Sequence, residues 1–207
     1  MTEEPQQQQE VPYPLAFKGE LEEPLSQLLW SVKVFLLVPH FVMLLFLFLG
    51  FALAWVISLV AILFTGRYPR KLFDFNLGVL RWTWRVAFYG YGALATDRYP
   101  PFMLKAVDYP ADLDVPYPQK LSRGLVLIKW WLLALPQYMV AYAFEGPFGM
   151  GGLVIMLTGF AGYAVFFTER YPGDLFDFVL DMHRWAYRVA VYAALMTDRY
   201  PPFRLGE

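Results

Sequence analysis

Phe64 to Phe102 reads FTGRYPRKLFDFNLGVLRWTWRVAFYGYGALATDRYPPF, and Phe167 to Phe203 reads FTERYPGDLFDFVLDMHRWAYRVAVYAALMTDRYPPF. The two stretches share Arg-Tyr-Pro, Leu-Phe-Asp-Phe, Arg-Trp and Thr-Asp-Arg-Tyr-Pro-Pro-Phe in the same order, so the chain is a duplication. The lead-in to each copy repeats as well, with Val11-Pro12-Tyr13-Pro14 returning as Val115-Pro116-Tyr117-Pro118. The units therefore run over residues 11–114 and 115–207, behind a polar Gln-, Glu- and Pro-rich segment, 1–10, whose composition predicts a disordered tail.

Composition narrows the class. Of 207 residues, 58% are hydrophobic, more than an ordinary soluble domain of this size uses, and the chain reads as an integral membrane protein. A net charge of -1 gives no basic field to draw the protein to nucleic acid. There are no cysteines, which removes disulfides, thiolate metal sites and a cysteine nucleophile.

Between Leu28 and Thr65 the only charged residue is Lys33. One helix of that length would measure about 57 Å, against a hydrocarbon core of about 30 Å. The run is therefore expected to fold back near Leu49-Gly50-Phe51, giving spans over about 28–48 and 51–65. In the second unit the expected spans are about 121–143 and 151–168, with a turn at Glu145-Gly146-Pro147-Phe148-Gly149. Pro39 and Pro136 are expected to kink the first span of each unit, and Lys33 and Lys129 to snorkel to the interface.

A third helix closes each unit, over about 72–95 and 175–196. At 100° per residue, Asp74, Gly78, Arg81 and Arg85 share one face, as do Asp177, Asp181, Arg184 and Arg188. No Lys or Arg falls between Val34 and Gly66 or between Trp130 and Glu169. If the third helices lie in the headgroup plane, both hairpin tips face one side and all 17 basic residues the other. The expected class is thus an all-α integral membrane protein of two tandem repeats, each a transmembrane hairpin followed by an amphipathic, aromatic-rich interfacial helix. The basic loops and both termini are placed on the cytoplasmic side of the inner (plasma) membrane.

Arg-Tyr-Pro flanks the third helices at Arg67, Arg98, Arg170 and Arg199. As structure, the motif stops a helix and anchors a tyrosine at the interface. As function, those arginines with Arg81, Arg85, Arg184 and Arg188 are candidates for an anionic headgroup or a protein partner, because guanidinium forks match phosphate. The Asp and Arg rows are also read as intrahelical pairing, with Asp181 and Arg184 three residues apart. Gly78 replaces the second aspartate in the first copy, which makes that copy the more cationic. His40 and His183 occupy non-equivalent positions without companion ligands, which favours structural roles over metal or haem ligation. No phosphate loop, serine elbow or metalloprotease helix is present.

The order of lead-in, membrane hairpin, RYP, LFDF, RW and TDRYPPF resembles a bacterial membrane-protein family designated domain of unknown function 4389, in two copies from Tyr13 to Phe203. The resemblance implies an integral membrane protein and brings no activity, cofactor or site. The function expected is non-enzymatic: an accessory or scaffold subunit that binds anionic lipid, a membrane partner or a second copy of itself. A small transporter or channel component is the alternative, and a lipid-modifying membrane enzyme the third reading.

Overall fold

The computed structural model describes residues 12–147 and 151–206. The expected tail over 1–10 and the tip of the second-unit turn, Phe148 and Gly149, lie outside the described residues. The elements in chain order are β1 (Ala16–Gly19), α1 (Leu29–Leu36), α2 (Val38–Thr65), α3 (Arg70–Tyr89), β2 (Ala111–Asp114), α4 (Leu125–Ile128), a π-helical turn (Lys129–Leu133), α5 (Leu135–Glu145), α6 (Gly152–Thr168) and α7 (Gly173–Ala193). The protein is mostly helical. An antiparallel ribbon of β1 and β2, with Phe17 opposite Leu113 and Lys18 opposite Asp112, is a small sheet that the expected all-α class did not include.

The first unit does not turn at Gly50. Helix α2 runs unbroken from Val38 to Thr65, so separate spans over 28–48 and 51–65 are not formed. Glycine is tolerated inside so apolar a helix, and here its bare backbone admits Phe75, whose ring would stand 3.1 Å from an added Cβ. The break falls earlier, at Leu37. Pro39 then occupies the first turn of α2, where its missing N–H has no intrahelical partner to lose. Pro136 sits likewise at the start of α5. Neither proline kinks the interior of a helix, as the sequence had suggested.

In the second unit the stretch matching α2 is divided. Gln137 to Thr168 is six residues longer than His40 to Thr65, and the extra length is the break between α5 and α6. Glycine is required there. Gly152 has φ +62, and a Cβ on it would lie 2.4 Å from the Phe144 carbonyl oxygen.

Among the described residues, helix α2 alone is long and apolar enough to cross a membrane, and only 17% of its most apolar stretch is buried. Residues 125–133 and 135–145 pass the same test only as a pair bent by 44°, and α6 is apolar but shorter. The buried side of α2 carries His40, Leu44, Ala54, Ser58 and Ile62, while Phe41, Leu45, Leu49, Leu53, Val56 and Phe64 are exposed.

Helices α3 and α7 begin directly after the proline of their Arg-Tyr-Pro motif and end at Tyr89 and Ala193, short of the expected limits. Past those ends the chain closes tightly through Leu94 and Leu195, both at positive φ with their side chains in the core. Both helices are largely buried, so neither offers its charged face outward along its length. Helix α3 runs antiparallel to α2, with Leu37 beside Gly90, His40 beside Trp82 and Gly50 beside Phe75. By helical arithmetic Trp82 and Val86 lie on a different face of α3 from Arg81 and Arg85, so α2 and β2 pack on separate sides of it.

The two units share one core. Trp84 meets His183 and Tyr187, Phe88 meets Phe176, and Phe17 of β1 lies against Trp84 and Tyr187. Their hydrogen bonds also interlock. Trp55 of α2 donates to the Ala193 carbonyl at the end of α7 (2.9 Å), and its counterpart Thr158 of α6 donates to the Tyr91 carbonyl beyond α3 (2.7 Å).

Candidate lipid- and partner-binding site

The repeated motifs form modules joined across sequence. Lys33 of α1 is buried and does not snorkel. Its Nζ donates to the Thr96 carbonyl at 2.7 Å and pairs with Asp97 at 2.9 Å. Lys129 repeats this in the second unit, at 3.0 Å from the Thr197 carbonyl and 2.7 Å from Asp198. The second oxygen of each aspartate accepts a backbone N–H, from Ser26 and from Ser122, both at 2.6 Å. The aspartate of Thr-Asp-Arg is thus the partner of a helix lysine rather than of the neighbouring arginine. A stranded ammonium in an apolar bundle is costly, and carboxylate plus carbonyl offset its desolvation.

The tryptophan of Arg-Trp has a matching use. Trp82 donates to His40 Nδ1 at 2.9 Å, and Trp185 donates to Gln137 Oε1 at 2.8 Å. Histidine in one copy and glutamine in the other accept the same indole proton. Their shared place directly after a proline was the only sign of equivalence in the sequence.

The eight candidate arginines do not converge. Arg81 pairs with Asp112 at 2.8 Å and Asp114 at 3.1 Å, and also donates to the carbonyls of Leu104 and Leu113. Arg85, fully buried, donates to the carbonyls of Met103 and Lys105 and pairs with the same Asp112 at 3.2 Å. Burial draws the Arg85 guanidinium below its ordinary value, and Asp112 opposes that shift. Arg188 is buried against the carbonyls of Arg204 and Gly206, and Arg184 pairs with Asp181 on its own helix. The Asp181 and Arg184 pair matches the expected intrahelical pattern, whereas Asp74 of the first row pairs on its own helix with Arg70 rather than with Arg81 or Arg85. Gly78 is glycine because Leu104 crosses it, with the Leu104 Cβ only 2.8 Å from where a Cβ would stand.

At the Arg-Tyr-Pro turns, Arg98 pairs with Glu22 at 3.2 Å and Asp108 at 3.6 Å, and Arg199 donates to the Pro12 carbonyl at 2.6 Å. Arg67 and Arg170 are exposed, each with its backbone N–H on the hydroxyl of Thr65 or Thr168. Arg81, Arg85 and Arg188 are therefore committed to ribbon and tail. Arg67 and Arg170 remain on the surface.

His183 acquires a partner that spacing did not reveal. Its Nδ1 lies 2.7 Å from the Glu145 carboxylate and its Nε2 lies 2.8 Å from the Gly92 carbonyl. Both ring nitrogens face acceptors, so the doubly protonated ring alone donates to both. Burial works against that charge, but Glu145 and Gly92 outweigh it and raise the His183 pKa above its ordinary 6.5. A raised folded-state pKa stabilises below the unfolded value, and the contribution disappears as pH rises through the folded value. Thermal unfolding in detergent is expected at a lower midpoint as pH climbs above 6.5, with His183→Gln flattening that slope; an equal slope in the variant would assign it elsewhere.

The architecture defines a duplicated, mostly helical protein with a large exposed apolar surface and a charge-clamped interior. The family model for Domain of unknown function (DUF4389) matches residues 27–103 and again 127–204, and the chain belongs to that family, in two tandem copies. No curated protein and no solved structure matches the chain.

Proposed function

We propose that the protein is an integral, multi-pass protein of the inner (plasma) membrane that works by binding rather than catalysis, as an accessory or scaffold subunit. The carrying observation is the division of its surface. Phe35, Phe46, Leu53, Met139, Met156 and Phe167 are exposed on α1, α2, α5 and α6, as lipid-facing side chains are, while Lys18, Glu20, Asp108 and Asp114 are exposed on the ribbon and its approach. Both units contribute to the apolar side. The ribbon, the basic loops and the termini then face the cytoplasm, where anionic lipid and protein partners are met.

Against the transporter alternative weighs the use of the polar interior. Lys33, Lys129, Arg81 and Arg85, the buried cations a solute pathway would use, are held instead by carboxylates and carbonyls within the fold. Purification in native lipid, followed by mass spectrometry of the retained lipids and proteins, tests the reading. Enrichment of anionic lipid or of one stoichiometric membrane partner is the expected result. A lipid profile equal to bulk membrane, with no partner, would remove it.

A further inference from the structure

The duplication gives each unit a turn between its apolar helix and its third helix, and the two turns differ in charge. In the first unit α2 ends at Thr65, and the turn carries Arg67, Arg70 and Lys71. The connector Tyr117–Arg123 is fastened onto this turn. Leu121 N donates to the Gly66 carbonyl at 2.8 Å, Tyr117 donates to the Tyr68 carbonyl, and the Arg70 guanidinium lies 4.6 Å over the Tyr117 ring. The fastening brings Lys120 and Arg123 to the same corner. An added Cβ on Gly66 would stand 3.3 Å from the Leu121 carbonyl oxygen and 3.6 Å from Arg123 Nε. Lys120, Leu121, Ser122 and Arg123 line an open cleft of about 580 Å³ there.

Two carboxylates beside the corner are already engaged. Asp74 is held by Arg70 at 3.1 Å and Asp198 by Lys129 at 2.7 Å. Among the described residues, Arg67, Lys71, Lys120 and Arg123 make no ion pair.

The matching corner of the second unit is inverted. Glu169 stands for Gly66, Asp174 for Lys71, Pro24 for Lys120 and Gln27 for Arg123, and Glu23 accepts the Tyr171 N–H at 2.9 Å. Glu169 even takes positive φ, +59, where the first unit uses glycine. Arg170 stands for Arg67, so both units keep the arginine, and the same backbone corner gathers further cations around it once and carboxylates around it once. Repeat architecture alone requires neither.

Position supplies the ligand class. The corner follows directly on Val60 and Phe64, the last exposed apolar residues of α2, so its cations stand at the depth where headgroup phosphates lie if α2 is in lipid. We propose that the corner of Arg67, Lys71, Lys120 and Arg123 binds one phosphate monoester or diester group, that of an anionic phospholipid headgroup or of a free phosphate ester, and that the second-unit corner does not. The proposal rests on the membrane reading given above. It narrows the candidate arginines to Arg67 and adds three cations from outside the Arg-Tyr-Pro motifs.

The test uses the full chain in nanodiscs of phosphatidylcholine with and without phosphatidylglycerol, and counts retained lipids by native mass spectrometry. Wild-type protein should hold phosphatidylglycerol selectively. Arg67→Gln, Lys71→Gln, Lys120→Gln and Arg123→Gln combined should lower that retention by at least about tenfold, while Arg170→Gln leaves it unchanged. Unchanged retention in the fourfold variant, or equal loss in Arg170→Gln, overturns the assignment. Each substitution is also made singly, and graded loss in singles of wild-type thermal midpoint supports the site even if the fourfold variant unfolds. Soluble glycerophosphoglycerol that displaces the lipid identifies a free phosphate ester as a competent ligand, and failure to displace identifies the bilayer-held headgroup; both outcomes support the corner. Wild-type protein that enters discs but shows no lipid preference overturns this site alone, whereas protein that fails to enter them overturns the membrane reading.

Discussion

Arg85→Ala is expected to lower stability by about 3 kcal/mol, measured as unfolding in detergent against wild type. The guanidinium is fully buried and joins three groups from the segment after α3, the carbonyls of Met103 and Lys105 and the carboxylate of Asp112. Removing one member of a buried pair costs roughly 3–5 kcal/mol, because the partner charge is left behind. Asp112 keeps 25% of its side-chain exposure and a second cation, Arg81, at 2.8 Å, which places the loss at the lower end. Arg85→Lys should restore little, since a single ammonium cannot fork toward two carbonyls and a carboxylate. Arg188→Ala should cost less than Arg85→Ala, because the bonds it gives up run to carbonyls alone.

Lys129→Met is expected to cost about as much, roughly 3 kcal/mol, and to be rescued in part by Asp198→Asn. Methionine keeps the length and apolar stem of lysine but leaves Asp198 without its cation and the Thr197 carbonyl without its donor. The asparagine removes the stranded charge, and its side-chain oxygen still accepts from Ser122 N. A double-mutant cycle reads the coupling directly. Additive losses would mean that the lysine acts through packing alone. Lys33 and Asp97 should behave in the same way, with the Tyr89 ring 4.8 Å from Lys33 Nζ as a further contact.

These two clusters mark where the sequence was legible and where it was not. The duplication, the helical class and the clustering of Arg81 with Arg85 on one face follow from spacing, and the structure has them. The partners of those arginines lie on a ribbon of four-residue strands, too short for any periodic signal. The partners of Lys33 and Lys129 lie more than sixty residues away along the chain. Gly50 was misread because a chain-length argument required a turn somewhere in a long apolar run, and the glycine lay near its middle while Pro39 lay close to its start. The helix instead broke at Leu37, where proline supplies a favourable first turn and no interior penalty. Glu145 lay in the Gly- and Pro-marked turn, with nothing in the sequence to tie it to His183.

The shared core and interlocked helices place both units in one body, and the account puts the polar side of that body on the cytoplasmic face of the membrane. Single cysteines at Asp108 and Glu207, labelled with an impermeant maleimide in intact cells and again after lysis, test this most directly, because the natural chain has no cysteine to give background. The account predicts labelling of both only after lysis. Labelling of Asp108 from outside, with Glu207 labelled only after lysis, would contradict it and set the two units in opposite orientations across the bilayer.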